Sequence, residues 1–210
     1  MAFSTAEFEA LAPTPYSQAR ASLRTGDILL FHSTALQSMA IEHFTNSLWS
    51  HAAFIWNIKD IDRLLLLESV DTFGVRAVAL SNRINGSSAE PRPYSGKLLV
   101  ARHADFPHPA DPKLLGTMTQ FAIDRLGYPY SAEELMKIGL RIAAGLAGKT
   151  LSSELEPRNA YVCSEYVAKC FDAIGIDLAP DRLGFIAPAD IANDPKIRAV
   201  LSLRPDRPVD

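Results

Sequence analysis

Short apolar runs separated by polar turn residues dominate the first half of the chain. Gly, Pro, Asn, Asp or charged residues bound four such runs, at positions 28–31, 51–58, 64–70 and 97–103. This length and these boundaries are typical of buried β-strands. The pattern therefore predicts four strands, with a hairpin through the polar turn at 59–63 and a further strand or edge segment within 71–84.

Apolar residues at three- and four-residue spacing become frequent later in the chain and predict helices. The predicted helices cover residues 34–44, 112–126, 131–145, 161–175 and 188–193. Strands that precede most of the helices indicate an α+β fold. The chain of 210 residues is long enough for one domain with a sizeable core, and residues 1–23 are predicted to form an N-terminal arm.

The helix predicted at 161–175 carries the first candidate for chemistry. Cys163 lies in its first turn, where unpaired backbone N–H groups and the helix dipole stabilise a thiolate. Gly175 is a natural helix stop, since glycine adopts the left-handed cap conformation without steric cost. The alternative interpretation is that Cys163 is a small buried apolar residue, as most intracellular cysteines are.

The predicted hairpin supplies two partners for such a cysteine. If Lys59 and Asp60 form a two-residue turn, Ile58 pairs with Ile61 and His51 lies directly opposite Glu68. A carboxylate beside an imidazole fixes its tautomer and stabilises the imidazolium, which is the orienting role in a catalytic triad. Taken singly, each residue also has a structural interpretation: a capping or surface histidine, and an edge-strand glutamate near water.

Composition and charge exclude several classes of protein. Hydrophobic residues make up 48% of the chain and charged residues 21%, which is the composition of an ordinary globular protein. The net charge of −3 argues against a dedicated nucleic-acid binder. Cys163 and Cys170 are too far apart on one helix for a disulfide, so free thiols in a reducing compartment are expected. The start of the sequence does not have the features of a signal peptide, and no apolar run reaches transmembrane length. We therefore expect a cytoplasmic protein.

No cofactor or metal site is predicted. The other histidines are scattered without a cysteine or carboxylate at metal-ligand spacing: His32, His43, His103 and His108. Neither a phosphate-binding glycine loop nor a dinucleotide fingerprint is present. Arg102 and Arg141 are possible ligands for a substrate carboxylate.

Five short motifs, in order, resemble the circularly permuted NlpC-type papain-like cysteine amidases and peptidases, the YiiX-like group. They are Gly26-Asp-Ile-Leu-Leu-Phe31, Ser50-His-Ala-Ala-Phe54, Leu67-Glu-Ser69, Gly127-Tyr-Pro-Tyr130 and Val162-Cys-Ser-Glu-Tyr166. In the permuted group the strands come first and the cysteine helix last, as here. The resemblance covers roughly residues 22–178 and implies one permuted papain-like domain over residues 1–210, with an antiparallel sheet packed against helices.

The resemblance also implies roles for individual residues. By that similarity Cys163 is the nucleophile, His51 the general base and Glu68 the third member of a triad. Tyr130 is similar to the tyrosine that faces the nucleophile, so it is expected to contact the oxyanion or the substrate; an aromatic residue packed in a turn is the alternative. The chain departs from the family in its segment 131–160, a helical insertion that is expected to be a lid, a partner surface or part of the core.

These residues together predict a thiol hydrolase of amide bonds in small molecules or peptides, of the peptide or N-acyl amino acid type, acting through an acyl-enzyme on Cys163. An acyltransferase or lipid-directed thioesterase, similar to the lecithin–retinol acyltransferase branch, would use the same site. The apolar segment 135–146 keeps that alternative open. A non-catalytic binding module on the same fold is the third possibility.

Overall fold

The computed structural model describes residues 5–32, 48–88, 91–106, 111–130, 161–178 and 186–207, and its main feature is one seven-stranded sheet. The strand order is β1-β7-β6-β2-β3-β4-β5. Neighbouring strands run antiparallel except for β1 and β7, which are parallel. The strands are β1 (Thr14–Pro15), β2 (Ile28–His32), β3 (His51–Ile58), β4 (Arg63–Val70), β5 (Gly74–Ala79), β6 (Lys97–His103) and β7 (Ile197–Arg204).

Helices flank this sheet, so the predicted α+β class is confirmed. In the described ranges they are α1 (Thr5–Glu9), α2 (Tyr16–Ala19), α3 (Leu80–Asn85), α4 (Pro112–Ile123), α5 (Cys163–Asp172) and α6 (Pro188–Asn193). Short 3₁₀ turns cover Arg20–Ser22 and Lys59–Ile61. None of the described helices combines the length and the apolar character that crossing a membrane requires.

The four predicted strands and the helices at α4, α5 and α6 are confirmed, with small changes at their ends. The prediction for 71–84 was incomplete, because α3 follows β5 there: Leu80 and Ile84, one turn apart, are both fully buried. The last strand, β7, was not predicted. The predicted helices at 34–44 and 131–145, and most of the segment 131–160, lie outside the described residues.

The two faces of the sheet carry separate apolar clusters. On one face Phe54 and Leu67 pack with Tyr166 and Phe171 of α5. The opposite face is covered in part by α3 and includes Leu29, Phe31, Ala53, Ile55, Leu66, Leu80 and Ile84. Because side chains alternate along a strand, this division fixes the face to which each residue of β3 and β4 belongs.

The turn between β3 and β4 differs from the predicted two-residue turn. Ile58 pairs with Arg63 rather than with Ile61, because a 3₁₀ turn precedes Asp62, which takes a left-handed conformation with φ 50°. Aspartate tolerates this region better than most residues do. The register is therefore shifted by two positions, which preserves the face of every side chain but places His51 level with Val70 instead of Glu68.

The predicted N-terminal arm lies against the sheet. Phe8 of α1 is buried and packs edge to face on Trp49, with ring centroids 4.9 Å apart. β1 adds to the sheet through its parallel pairing with β7. Asp27, just before β2, is fully buried and accepts hydrogen bonds from two of the three guanidinium nitrogens of Arg102, Nε at 2.6 Å and Nη2 at 2.8 Å.

Gly74 begins β5 where the strand closely approaches the backbone of Tyr128, and its substitution should destabilise the protein. Its φ is +67°, and an added Cβ would overlap the carbonyl oxygen of Tyr128. We expect Gly74→Ala to lower the free energy of unfolding by about 1–3 kcal/mol, measured by urea denaturation. The matched control is Gly116→Ala in α4, where an added Cβ meets no atom within 4 Å. It should leave stability unchanged or raise it by up to about 1 kcal/mol; equal stabilities for the two variants would contradict the prediction.

Candidate active site

A local separation of strands β3 and β4 creates the candidate site. Their pairing runs from Ile58–Arg63 to Phe54–Leu67 and ends there, although both strands continue. The start of α5 lies at this opening: the hydroxyl of Ser69 donates to the carbonyl of Tyr161 at 2.7 Å, and the Ala52 N–H is directed to the Cys163 sulfur. Residues of β3 and β4 can therefore contact the first turn of α5.

His51 and Glu68 form a hydrogen-bonded pair in the site. His51 Nε2 lies 2.9 Å from Glu68 Oε2, and the Glu68 side chain is fully buried. The edge-strand interpretation of Glu68 near water is therefore wrong. The shifted register explains the contact, because Glu68 is the diagonal neighbour of His51 on the same sheet face, within reach of long side chains.

Cys163 lies at the first position of α5 and is 5% exposed. Its sulfur accepts hydrogen bonds from the backbone N–H groups of Ala52 and Ser164 and is hydrogen-bonded to His51. Since Nε2 of His51 faces Glu68, Nδ1 is the nitrogen left for the sulfur. The structure thus brings Cys163, His51 and Glu68 together in one chain of contacts, with the histidine in the middle.

These contacts favour a thiolate–imidazolium pair. Burial raises the pKa of Cys163, but the charge and hydrogen bond of His51 and the two backbone donors outweigh it and lower that pKa below its usual 9.0. Burial disfavours the imidazolium, yet Cys163 and Glu68 together raise the pKa of His51 to about 9. For Glu68, burial is outweighed by His51, Arg83 and Arg76, which lower its pKa to about 2.

Tyr130 lies close to the cysteine. It forms an isolated parallel bridge with Tyr161 and packs with Val162, Ala187 and Ala189. Burial, then the negative charges of Cys163 and Asp71, raise the pKa of its hydroxyl, so Tyr130 is a neutral donor at ordinary pH. Its predicted role in contacting an oxyanion or substrate stays a prediction.

Two arginines beside Glu68 were missed in the sequence. Arg76 Nε donates to Glu68 Oε1 at 2.8 Å, and its Nη2 lies 2.7 Å from the same oxygen. Arg83 Nε lies 3.6 Å from Oε2. Arg76 is a charged residue inside the short strand β5, and this was the sequence signal that could have identified it. Glu68 and Arg76 are directly paired in the sheet, and oppositely charged residues at such positions stabilise each other.

Arg102 was a candidate ligand for a substrate carboxylate, and the structure contradicts this. Its guanidinium already donates two hydrogen bonds to the buried carboxylate of Asp27, so it has a structural partner within the sheet. Arg141 lies outside the described residues. Among the residues that the structure describes, no group of three His, Cys, Asp or Glu side chains could hold a metal ion.

Alkylation should distinguish the two cysteines. Burial raises the pKa of Cys170, whereas that of Cys163 is lowered. We expect iodoacetamide to label Cys163 at a rate that is already near its maximum at neutral pH, because the thiolate reacts, and to leave Cys170 unmodified. Peptide mass spectrometry after timed quenching measures both rates. Cys163→Ser, the control, should take up no label; labelling of Cys170 first would contradict the assignment.

Glu68 should make stability depend on pH. Its pKa is about 2 in the fold against 4.5 as the ordinary value, so its contribution is complete above pH 4.5 and is lost as the pH falls towards 2. The difference corresponds to roughly 3 kcal/mol. Urea unfolding at several pH values should therefore show a gap between wild type and Glu68→Gln that narrows on acidification.

An exposed carboxylate provides the control for that measurement. Asp62 pairs with Arg20 at the surface, and its side chain is 79% exposed. Asp62→Asn should change the free energy of unfolding by less than about 1 kcal/mol at every pH. If the gap for Glu68→Gln is also independent of pH, the pKa of Glu68 is the same in the folded and the unfolded protein, which contradicts the prediction.

Comparison with known proteins places the fold. No protein-family model matches the chain, and no match is found among curated proteins. Among solved structures 5 chains match. One is described as the metalloprotein YiiX from Escherichia coli, at 19% identity and a TM-score of 0.59, covering 87% of this chain and 99% of that chain. At this identity the likeness concerns the fold alone: the chain has a YiiX-like fold.

Proposed function

We propose that the protein is a thiol hydrolase that cleaves amide bonds through an acyl-enzyme on Cys163. The observation that carries the proposal is the position of His51 between the Cys163 sulfur and the buried Glu68 carboxylate, 2.9 Å from the latter. Nucleophile, base and orienting group are the three parts that such a reaction needs. The order of strands followed by a cysteine helix supports, in addition, a circularly permuted papain-like fold of the NlpC type.

In the acylation step the Cys163 thiolate attacks the carbonyl carbon of the substrate. A carbon–sulfur bond forms and the carbonyl electrons move to oxygen, where the backbone N–H of Cys163 and the Tyr130 hydroxyl are the proposed donors. The tetrahedral intermediate then collapses and breaks the carbon–nitrogen bond. The His51 imidazolium gives its proton to the leaving amine, which departs neutral.

Deacylation uses the same groups in the opposite sense. Neutral His51 takes a proton from a water molecule, which attacks the thioester carbon. Collapse breaks the carbon–sulfur bond, releases the carboxylic acid and restores the thiolate with its imidazolium. Glu68 accepts the hydrogen bond from His51 throughout and remains ionised.

A metal ion does not fit these residues. YiiX of Escherichia coli is described as a metalloprotein, whereas the side chains at the candidate site of this chain are unsuited to a metal ion. The Glu68 carboxylate already faces the two guanidinium groups of Arg76 and Arg83, which would repel a cation. In the part of the chain that the structure describes, no set of three His, Cys, Asp or Glu side chains could hold a metal ion.

One observation favours the alternative of acyl transfer or thioester hydrolysis. Next to Cys163, Val162, Ala187 and Ala189 form a small apolar cluster with Tyr130. These three side chains are buried, so they offer no open surface, but they make the surroundings of Cys163 apolar, which suits an acyl group better than a charged one. The predicted apolar segment 135–146 lies outside the described residues.

We keep the cytoplasm as the proposed compartment, because both cysteines are free thiols.

Trapping of the acyl-enzyme tests the proposal. The protein is mixed with a panel of N-acyl amino acids, short peptides and acyl esters, quenched in acid and digested, and the peptide that contains Cys163 is weighed by mass spectrometry. We expect an acyl adduct on Cys163 and release of the amine. Cys163→Ala should lose at least a factor of about 10³ in turnover while its circular dichroism spectrum is unchanged.

The same experiment separates the alternatives. Addition of an amine or alcohol acceptor gives a new acyl product with an acyltransferase and free acid with a hydrolase. Adducts from acyl esters only would favour the thioesterase or transferase. Substantial turnover by Cys163→Ala would exclude the thiol mechanism, and a folded wild type that gives no adduct with any member of the panel would favour a binding module.

A further inference from the structure

The charges around the candidate triad are unequal in number. Two anions, the Cys163 thiolate and the Glu68 carboxylate, face three cations: the His51 imidazolium and the guanidinium groups of Arg76 and Arg83. They come from five elements, α5, β4, β3, β5 and α3. Both guanidinium groups are mostly buried, with side-chain exposures of 19% and 21%.

The two oxygens of Glu68 have different partners. Two nitrogens of Arg76 contact Oε1, at 2.8 and 2.7 Å, and so hold this oxygen by charge-assisted contacts. Oε2 is left for His51. Arg83 Nε lies 3.6 Å from this second oxygen, close enough for a strong charge interaction in a buried site but too far to compete with His51 for the hydrogen bond.

Arg83 also supports the imidazole from a second direction. Its guanidinium lies over the Phe31 ring at 4.9 Å and over the Tyr94 ring at 5.3 Å. Phe31 in turn meets the His51 ring edge to face, with centroids 5.0 Å apart. One side chain thus touches both the carboxylate and the aromatic ring that set the orientation of His51.

Without these two cations a different proton arrangement would be favoured. A fully buried carboxylate beside an imidazolium can take its proton, which leaves two neutral groups and avoids the cost of burying charge. Cys163 would then lose the positive charge that stabilises its thiolate. When His51 is neutral in the acyl-enzyme, Glu68 would likewise be a buried anion with no charged partner.

We propose that Arg76 and Arg83 are positioning residues that keep Glu68 ionised, so that the proton stays on His51 and Cys163 stays a thiolate. This inference rests on the proposed thiol chemistry. Neither arginine touches the reacting atoms; both act through Glu68, and Arg83 also acts through Phe31. The role differs from simple structural support, because it sets the proton distribution within the triad.

The alkylation rate of Cys163 as a function of pH tests this proposal without a substrate. Iodoacetamide labelling is followed by mass spectrometry from pH 5 to 9 in wild type, Arg76→Met, Arg83→Met and Arg76→Lys. An opposite charge a few ångströms away shifts a pKa by about 1–3 units, so we expect each Met variant to label about tenfold more slowly near pH 6. Arg76→Lys should recover part of the rate, since an ammonium keeps the charge but not the two-nitrogen contact.

A double-mutant cycle shows whether the arginine acts through the carboxylate. In a Glu68→Gln background, Arg76→Met should cause no further loss of labelling rate. Arg102→Met is the matched control, because it also removes an arginine from a buried carboxylate, Asp27, elsewhere in the sheet. It should lower stability and leave the pH profile of labelling unchanged. The near-ultraviolet circular dichroism of every variant reports whether it is folded.

The outcomes separate the two proposals. If wild-type Cys163 labels like an ordinary thiol, the thiol-hydrolase proposal fails. If wild type labels rapidly at neutral pH and folded Arg76→Met, Arg83→Met and Arg76→Lys keep the same profile, the positioning proposal alone is overturned. An equal loss on Arg76→Met with and without Glu68 would overturn it as well.

Discussion

The buried carboxylate of Glu68 is the constraint on which the candidate site depends. A fully buried anion is costly unless several donors surround it, and in this fold His51, Arg76 and Arg83 do so from three different elements. Each of those side chains is thereby fixed relative to the others. Because the partners come from β3, β5 and α3, the sheet and the helix on one face must be formed before the imidazole has its orientation.

The cysteine reaches this arrangement from the other side of the sheet. The core of α5 packs with Phe54 and Leu67, whereas His51 and Glu68 belong to the opposite face. The pairing of β3 with β4 ends at Phe54 and Leu67. Beyond that point the two strands separate, and the first turn of α5 meets both of them, so Cys163 can reach side chains that belong to the opposite face. The unpaired ladder also frees the Ala52 N–H for the Cys163 sulfur, so one backbone opening provides both access and stabilisation of the thiolate.

The sequence predicted the elements well and the site in part. A short apolar run between turn residues located β3, which is buried on both faces, and apolar residues at three- and four-residue spacing located α5, each within a few residues of its observed bounds. The predicted contact between His51 and Glu68 is present despite the wrong turn prediction, since a shift of two residues keeps both side chains on one face. Arg76 and Arg83 could not be paired with Glu68 in advance. That pairing depends on the β4–β5 register and on a short helix, α3, neither of which has a strong local signal.

Two buried carboxylates in the same sheet show why burial alone does not indicate function. Asp27 has a bidentate arginine and the Arg24 N–H as a third donor, and every one of these partners keeps a fixed charge across the ordinary pH range. Glu68 divides its oxygens between an arginine and a histidine, so one of its partners can lose and regain a proton. The first set can only hold strands together. The second set couples the position of a proton to the charge on a sulfur, which is the property that a thiol catalyst requires.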